Sequence, residues 1–240
     1  AGLKYVRALD ANGTSWGAPV TVDGDGSAGF YTSLVVVNGN PAVSYSTGGF
    51  RDLLYVRAAN ASGTSWGAPM NLDSTGSVGL HTSLEVVDGN PAISYYDETN
   101  TTLKYIRAAD ANGTSWSAPV FVDGAVTNAG RYTSLEVVDG NPAICYQDGT
   151  NGNVLYVRAS DAGGTAWGVP VIVGSMNHGS VARYTSLAVI NGRPAIAFFS
   201  AAFGSGLRYA RANDVTGASW GAPVLVTGTN STGIYPTLLV

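Results

Sequence analysis

Short runs of alternating apolar and polar residues, each closed by a turn signal, fill the chain from end to end. Tyr132 to Val138 alternates with period two, and Asp139-Gly140 follows it directly. A second apolar run, Pro142 to Tyr146, comes next. Asn38-Gly39, Asp88-Gly89 and Asn191-Gly192 stand between the corresponding runs elsewhere. An Asx-Gly pair between two such runs predicts a hairpin, because a type I′ turn needs positive φ at both central residues. A third run, Leu103 to Ala108, and a fourth, Trp116 to Val122, flank the cluster Asp-Ala-Asn-Gly-Thr-Ser, which is turn-forming. No segment sustains a helical period.

These four runs recur as a unit. The five tryptophans, Trp16, Trp66, Trp116, Trp167 and Trp220, are equivalent, and each stands three residues before a proline. Each lies nine residues after an arginine: Arg7, Arg57, Arg107, Arg158 and Arg211. The block that opens each unit starts at Tyr31, His81, Tyr132 and Tyr184, with a partial copy from Tyr235. Four meandering strands repeated at about 50 residues predict an all-β, five-bladed β-propeller of four-stranded antiparallel blades. The expected domain is residues 1–240. The fifth blade is expected to combine 1–23 with 235–240, pairing the N- and C-terminal strands to close the ring. That blade counts three strands, and truncation of a longer chain is the expected reason.

Composition narrows the function. Charged residues are 12% of the chain, with 12 Lys and Arg against 16 Asp and Glu, for a net charge of −4. No basic patch is present, so nucleic acid is not an expected partner. No apolar run approaches the roughly 20 residues of a membrane-spanning helix, so membrane insertion is not expected. Hydrophobic residues reach 45%, enough for a large core. One Cys and two His are too few for a Cys/His metal centre, and neither a metal nor a cofactor is expected. Low charge with abundant glycine fits an extracellular or cell-surface setting.

A meander sends its first and third turns to one end of the sheet and its other connections to the opposite end. The first end is nearly uniform between copies; the second differs in every copy and is the expected ligand face. Tyr31, His81, Tyr132, Tyr184 and Tyr235 begin inner strands at that end. Arg131 and Arg183 precede two of them, and the second strands deliver Tyr96, Asp97, Gln147 and Asp148 there. Aromatic planes beside amide, carboxylate and guanidinium groups suit carbohydrate. The alternative is that the tyrosines simply pack between blades.

Other constellations read as structure. The five tryptophans and five arginines are symmetric, which suits packing between blades and carbonyl or turn-aspartate partners. Glu85 and Glu136 share one repeat position, which looks like duplication rather than an acid-base pair. His178 lies in a loop, and Cys145 replaces Ser44 and Ser94 as a small core residue. With no nucleophile motif, no catalytic residue is assigned.

The segments Asp10 to Trp16, Asp110 to Trp116, Asp161 to Trp167 and Asp214 to Trp220 resemble the Asp-box of sialidases and related propellers, with Asn60 replacing Asp in the second copy. In that family the motif stabilises a hairpin away from the active site, and the resemblance implies the same here. The near-identical units, with LKYVRA, NGTSWGAPV and DGNPAISYYD, resemble highly repetitive propellers of bacterial surface and secreted proteins. Five-bladed lectins of the tachylectin type share the repeat length and blade number. The expected function is therefore a non-enzymatic recognition or structural scaffold, with lectin-like carbohydrate binding through the variable face and with glycans or proteins of a surface assembly as partners. A sialidase-type glycoside hydrolase and a structural module of a larger assembly are the alternatives.

Overall fold

The computed structural model describes residues 2–49, 51–123, 128–174, 182–201, 205–227 and 233–239. The described residues contain strands and turns and no helix. Leu3–Tyr5 (β1) pairs with Val20–Asp23 (β2) in a two-stranded sheet. Four four-stranded sheets follow in simple meander order. The first is Ala28–Val37 (β3), Asn40–Thr47 (β4), Leu53–Arg57 (β5) and Met70–Asp73 (β6). The second is Leu80–Val87 (β7), Asn90–Asp97 (β8), Thr102–Arg107 (β9) and Val120–Asp123 (β10). The third is Ala129–Val138 (β11), Asn141–Asp148 (β12), Val154–Arg158 (β13) and Val171–Gly174 (β14). The fourth is Ala182–Ile190 (β15), Arg193–Ser200 (β16), Gly206–Arg211 (β17) and Val224–Thr227 (β18). This is a five-bladed propeller, with one blade represented by two strands.

The turn chemistry acts as the sequence requires. Asp139 and Gly140 hold φ of 47° and 79°, the doubly positive pair of a type I′ turn. The fourth strand of each blade is shorter than its apolar run. Trp116 makes only an isolated bridge to Ala108, and β10 begins at Val120, directly after Pro119. Proline has no N–H to give the ladder.

The core lies between blades. Leu103, Tyr105 and Val122 of the second blade pack with Leu135, Ile144 and Tyr146 of the third. Each later tryptophan sets its ring edge-on against a tyrosine of the preceding blade: Trp66 on Tyr5, Trp116 on Tyr55, Trp167 on Tyr105 and Trp220 on Tyr156, at 5.0 to 5.2 Å between centroids. Polar staples cross the same interfaces. Tyr45, Tyr95 and Tyr146 donate to Asp23, Asp73 and Asp123 of the blade before, at 2.6, 2.7 and 2.7 Å. In the fourth blade Phe198 replaces the tyrosine and Gly174 replaces the aspartate. A Cβ at Gly174 would sit 3.0 Å from the Phe198 ring, so loss of the hydroxyl and loss of its acceptor fit one another.

The repeat arginines hold the first hairpin of their own blades. Arg107 donates to the carbonyls of Val87 and Asp88, and Arg158 to those of Val138 and Asp139. Arg57 and Arg211 reach Val37 and Ile190 in the same way, while Arg7 reaches Ala61 of the next blade. Turn aspartates also face two of them, Asp88 at 3.3 Å and Asp139 at 3.6 Å.

Ring closure differs from expectation. Residues 235–239 join no sheet, so the paired N- and C-terminal strands are not formed among the described residues. The segment instead takes the place of a fifth inner strand. Leu238 donates its N–H to Ser186 Oγ at 3.0 Å, repeating Leu84 to Ser33, Leu135 to Ser83 and Leu187 to Ser134. A second strand is needed between it and β1, and the described residues supply none.

Candidate functional site

The inner strands converge on a mouth at the end where connections vary. Tyr31, His81, Tyr132, Tyr184 and Tyr235 line one open cavity of about 470 Å³ with the threonines that follow them. The rings touch in sequence: Tyr31 to His81 at 4.4 Å, His81 to Tyr132 at 4.3 Å, Tyr132 to Tyr184 at 4.5 Å and Tyr184 to Tyr235 at 4.0 Å between centroids. The expectation that these five residues begin inner strands at the variable end matches this geometry.

All five residues hold left-handed backbone, with φ between 51° and 59°. That region disfavours side chains with a Cβ, so each position stores strain that its surroundings must hold. The restraints are visible. Thr82 Oγ1 donates to the Tyr31 carbonyl at 2.7 Å and Thr133 Oγ1 to the His81 carbonyl at 2.8 Å; Thr185 Oγ1 donates to the Tyr132 carbonyl. Ser44 and Ser94 meet Thr82 and Thr133 from behind, each at 2.9 Å. Gly130, two residues before Tyr132, sits at φ 112°, where an added Cβ would lie 2.7 Å from the Leu103 Cα. The inner strand therefore approaches the preceding blade backbone to backbone before it turns the tyrosine into the mouth.

The mouth is apolar in its planes and polar at its edges. Burial, and then the charge of Arg131, push the His81 imidazole down to about 4, so it is neutral at pH 7. Desolvation and the neighbouring Tyr184 raise the Tyr132 phenol, which stays protonated as a hydrogen-bonding group.

The second-strand ends do not join this surface. Tyr96 is buried, donates to Asn128 Oδ1 at 2.8 Å and lies under the Arg131 guanidinium at 5.3 Å. Asp97 is buried in an ion pair with Lys104 at 2.7 Å, and Lys104 also reaches Asp73 at 3.1 Å. Gln147 and Asp148 are buried, and Asp148 holds its own turn through Thr150 and Asn151. Their backbones lie beside the variable loops, but neighbouring blades enclose their side chains. Arg183 is exposed and Arg131 half-exposed, both next to ring residues. His178 lies outside the described residues. The threonines were not singled out from sequence, although Thr32, Thr82, Thr133 and Thr185 each directly follow a ring residue.

Glu85 and Glu136 stand four residues beyond His81 and Tyr132 on the same inner strands, about 13 Å at ordinary strand rise. Both carboxyls are half-buried and held above the usual carboxylate range, chiefly by desolvation; the charge of Glu136 adds to the effect at Glu85. Among the described residues they are the carboxyls with a resolved upward shift. A raised carboxyl binds its proton more tightly in the folded state. It therefore favours folding below its unfolded pKa, and that contribution is lost as pH rises through the folded value. The double substitution Glu85→Gln, Glu136→Gln should leave Tm unchanged at acid pH and raise it relative to the parent at neutral pH, as read by thermal melts across pH 4 to 8.

No protein family and no curated protein matches the sequence. Solved structures do share the fold. An α-L-arabinofuranosidase from Lactobacillus brevis is 12% identical with a TM-score of 0.57, over 80% of this chain and 71% of that one. The catalytic domain of a GH62 α-L-arabinofuranosidase from Coprinopsis cinerea is 15% identical with a TM-score of 0.59, over 83% and 69%. A GH43 endo-arabinanase from Bacillus licheniformis is 14% identical with a TM-score of 0.58, over 88% and 84%. At this identity the likeness establishes the propeller fold. It also corrects the expectation of a non-enzymatic recognition or structural scaffold, because these counterparts are glycoside hydrolases.

Proposed function

We propose that this propeller processes carbohydrate, seating a glycan on the aromatic mouth. The observation that carries the reading is the ring of Tyr31, His81, Tyr132, Tyr184 and Tyr235, each held against backbone preference to present its plane to one cavity. Apolar sugar faces stack on such planes. Phenol, imidazole and threonine edges, with Arg131 and Arg183 at the rim, hydrogen-bond the hydroxyls. The fold shared with arabinose- and galactan-acting enzymes supports a glycan as the partner, one met in an extracellular setting.

Glu85 and Glu136 are the acid groups in this reading. Glycoside hydrolysis uses two carboxyls: one protonated to donate to the leaving oxygen, one ionised to assist the attack. Desolvation chiefly holds both carboxyls above the usual carboxylate range, and the charge of Glu136 adds to the shift at Glu85.

The binding half is tested by calorimetry with arabinan- and galactan-derived oligosaccharides. Tyr132→Ala with Tyr184→Ala should weaken affinity about tenfold or more, since each stacked ring is worth roughly 1 kcal/mol. Unchanged affinity in a folded double variant would remove the mouth from the reading.

A further inference from the structure

The residue before each ring aromatic gives the mouth two kinds of rim. Phe30, Leu80 and Ile234 stand at that position in three copies, and Arg131 and Arg183 in the other two. Both arginines belong to complete, consecutive blades. Arg131 pairs with Gln147 and Arg183 with Phe199 of the second strands, and the register shifts directly after each arginine. That shift is where the left-handed Tyr132 and Tyr184 turn into the cavity. Each arginine is thereby set beside the blade before its own. The Arg131 guanidinium lies over the Tyr96 ring of the second blade at 5.3 Å, and its charge acts on His81 of that blade. Arg183 repeats the relation one blade on, with its charge acting on Tyr132.

These two guanidiniums are uncommitted. The repeat arginines Arg57, Arg107 and Arg158 are taken up by backbone carbonyls of their own hairpins. Arg51, a further cation at this end, is paired with Glu98, which also accepts from Ser77 Oγ at 2.8 Å. Glu98 feels the charge of Arg131 as well, yet its ion pair is with Arg51. The acids at the second-strand ends are held elsewhere, Asp97 by Lys104 and Asp148 by its own turn. Among the described residues neither Arg131 nor Arg183 has an ion-pair partner, and Arg131 Nε is buried without a hydrogen bond. Positive charge without a matching acid therefore stands beside the planes of His81 and Tyr132.

We infer that the mouth selects acidic glycans, with Arg131 and Arg183 taking the carboxylates of uronate residues stacked on the aromatic ring. The inference rests on the mouth being a glycan seat and names its substrate class. A guanidinium presents paired coplanar donors that match the two oxygens of a carboxylate, a geometry a single hydroxyl does not use. The planes beside Tyr132, at 4.3 and 4.5 Å between centroids, offer the sugar its apolar seat. Phe30, Leu80 and Ile234 bring no donor from their side chains, so the acidic side of the ligand is directed to the third and fourth blades.

The test titrates trigalacturonate and its fully methyl-esterified form into the full chain by calorimetry. The two share sugar geometry and differ in charge. The acid should bind roughly tenfold tighter at low ionic strength, since each exposed ion pair adds a few-fold in affinity. That preference should shrink as added salt screens the charges. Arg183→Gln, at an exposed side chain, and Arg131→Gln should each cut the preference for acid over ester several-fold, with melting curves recorded alongside. Glu98→Gln frees Arg51 and should enlarge the preference, a gain that misfolding does not produce. A sulfated galactan oligosaccharide should bind more weakly than trigalacturonate. Equal affinity for acid and ester, a preference untouched by both arginine variants, or tighter binding of the sulfated sugar would overturn the inference and leave a neutral-glycan mouth standing. No binding of acid, ester or neutral arabinan oligosaccharide would remove the mouth itself and this inference with it.

Discussion

Trp116→Ala is expected to lower stability by about 3 kcal/mol, the low end for removing a large aromatic, because the indole is only partly buried. The loss has two parts. The ring packs edge-on against Tyr55 at 5.0 Å, a contact between blades. Its N–H donates to the Gly113 carbonyl at 2.9 Å and so ties the hairpin that Asp110 organises. Trp16→Ala removes the same residue type from a position where the indole is 58% exposed, and should cost markedly less. Urea denaturation of the two variants measures the difference directly. Equal losses would mean that the tryptophans act within their own hairpins and not between blades. Neither substitution touches the mouth, so glycan affinity per folded molecule should stay unchanged.

Glu136→Gln should reduce turnover by roughly 10²- to 10⁴-fold, the range for loss of a positioned acid or base. The amide keeps the shape and can still accept the Val137 N–H that Glu136 Oε1 holds at 2.9 Å. What it lacks is an exchangeable proton. KM and Tm at acid pH should therefore stay near the parent values while kcat falls. Glu136→Gln should also lower the titration of Glu85, because the charge of Glu136 that adds to the Glu85 shift is gone. A variant of either position with full turnover would take that glutamate out of the chemistry.

The architecture was legible because each blade repeats the same local instructions. Asx-Gly pairs specify hairpins that the observed φ values match, and alternation assigns the buried faces. The aromatic ring was legible for a similar reason: five equivalent positions on five equivalent strands must converge on the axis. What sequence could not supply was the reach between blades. Tyr96, Asp97, Gln147 and Asp148 sit at the correct end of their strands, yet adjacent blades enclose them, and Lys104 claims Asp97 from the neighbouring strand. The pairing of Phe198 with Gly174 spans two strands of different blades and leaves no mark in either repeat alone. The hydrolase likeness was invisible for a further reason. Glu85 and Glu136 are separated by a whole repeat on adjacent inner strands and therefore look like copies of one position. Only desolvation, with the charge of Glu136 added at Glu85, distinguishes them from ordinary surface acids, and it belongs to the folded state.

Carbohydrate processing at the aromatic mouth is tested most directly by release of reducing ends. The purified chain would be incubated with arabinan and β-1,3-galactan oligosaccharides across pH 4 to 8, beside the Glu136→Gln variant and the Tyr132→Ala, Tyr184→Ala pair. The account predicts turnover on at least one of these glycans, nearly abolished in the glutamine variant with KM kept, and lowered through KM in the tyrosine pair. Turnover that is absent from the parent across the whole panel, with no oligosaccharide bound by calorimetry, would contradict it.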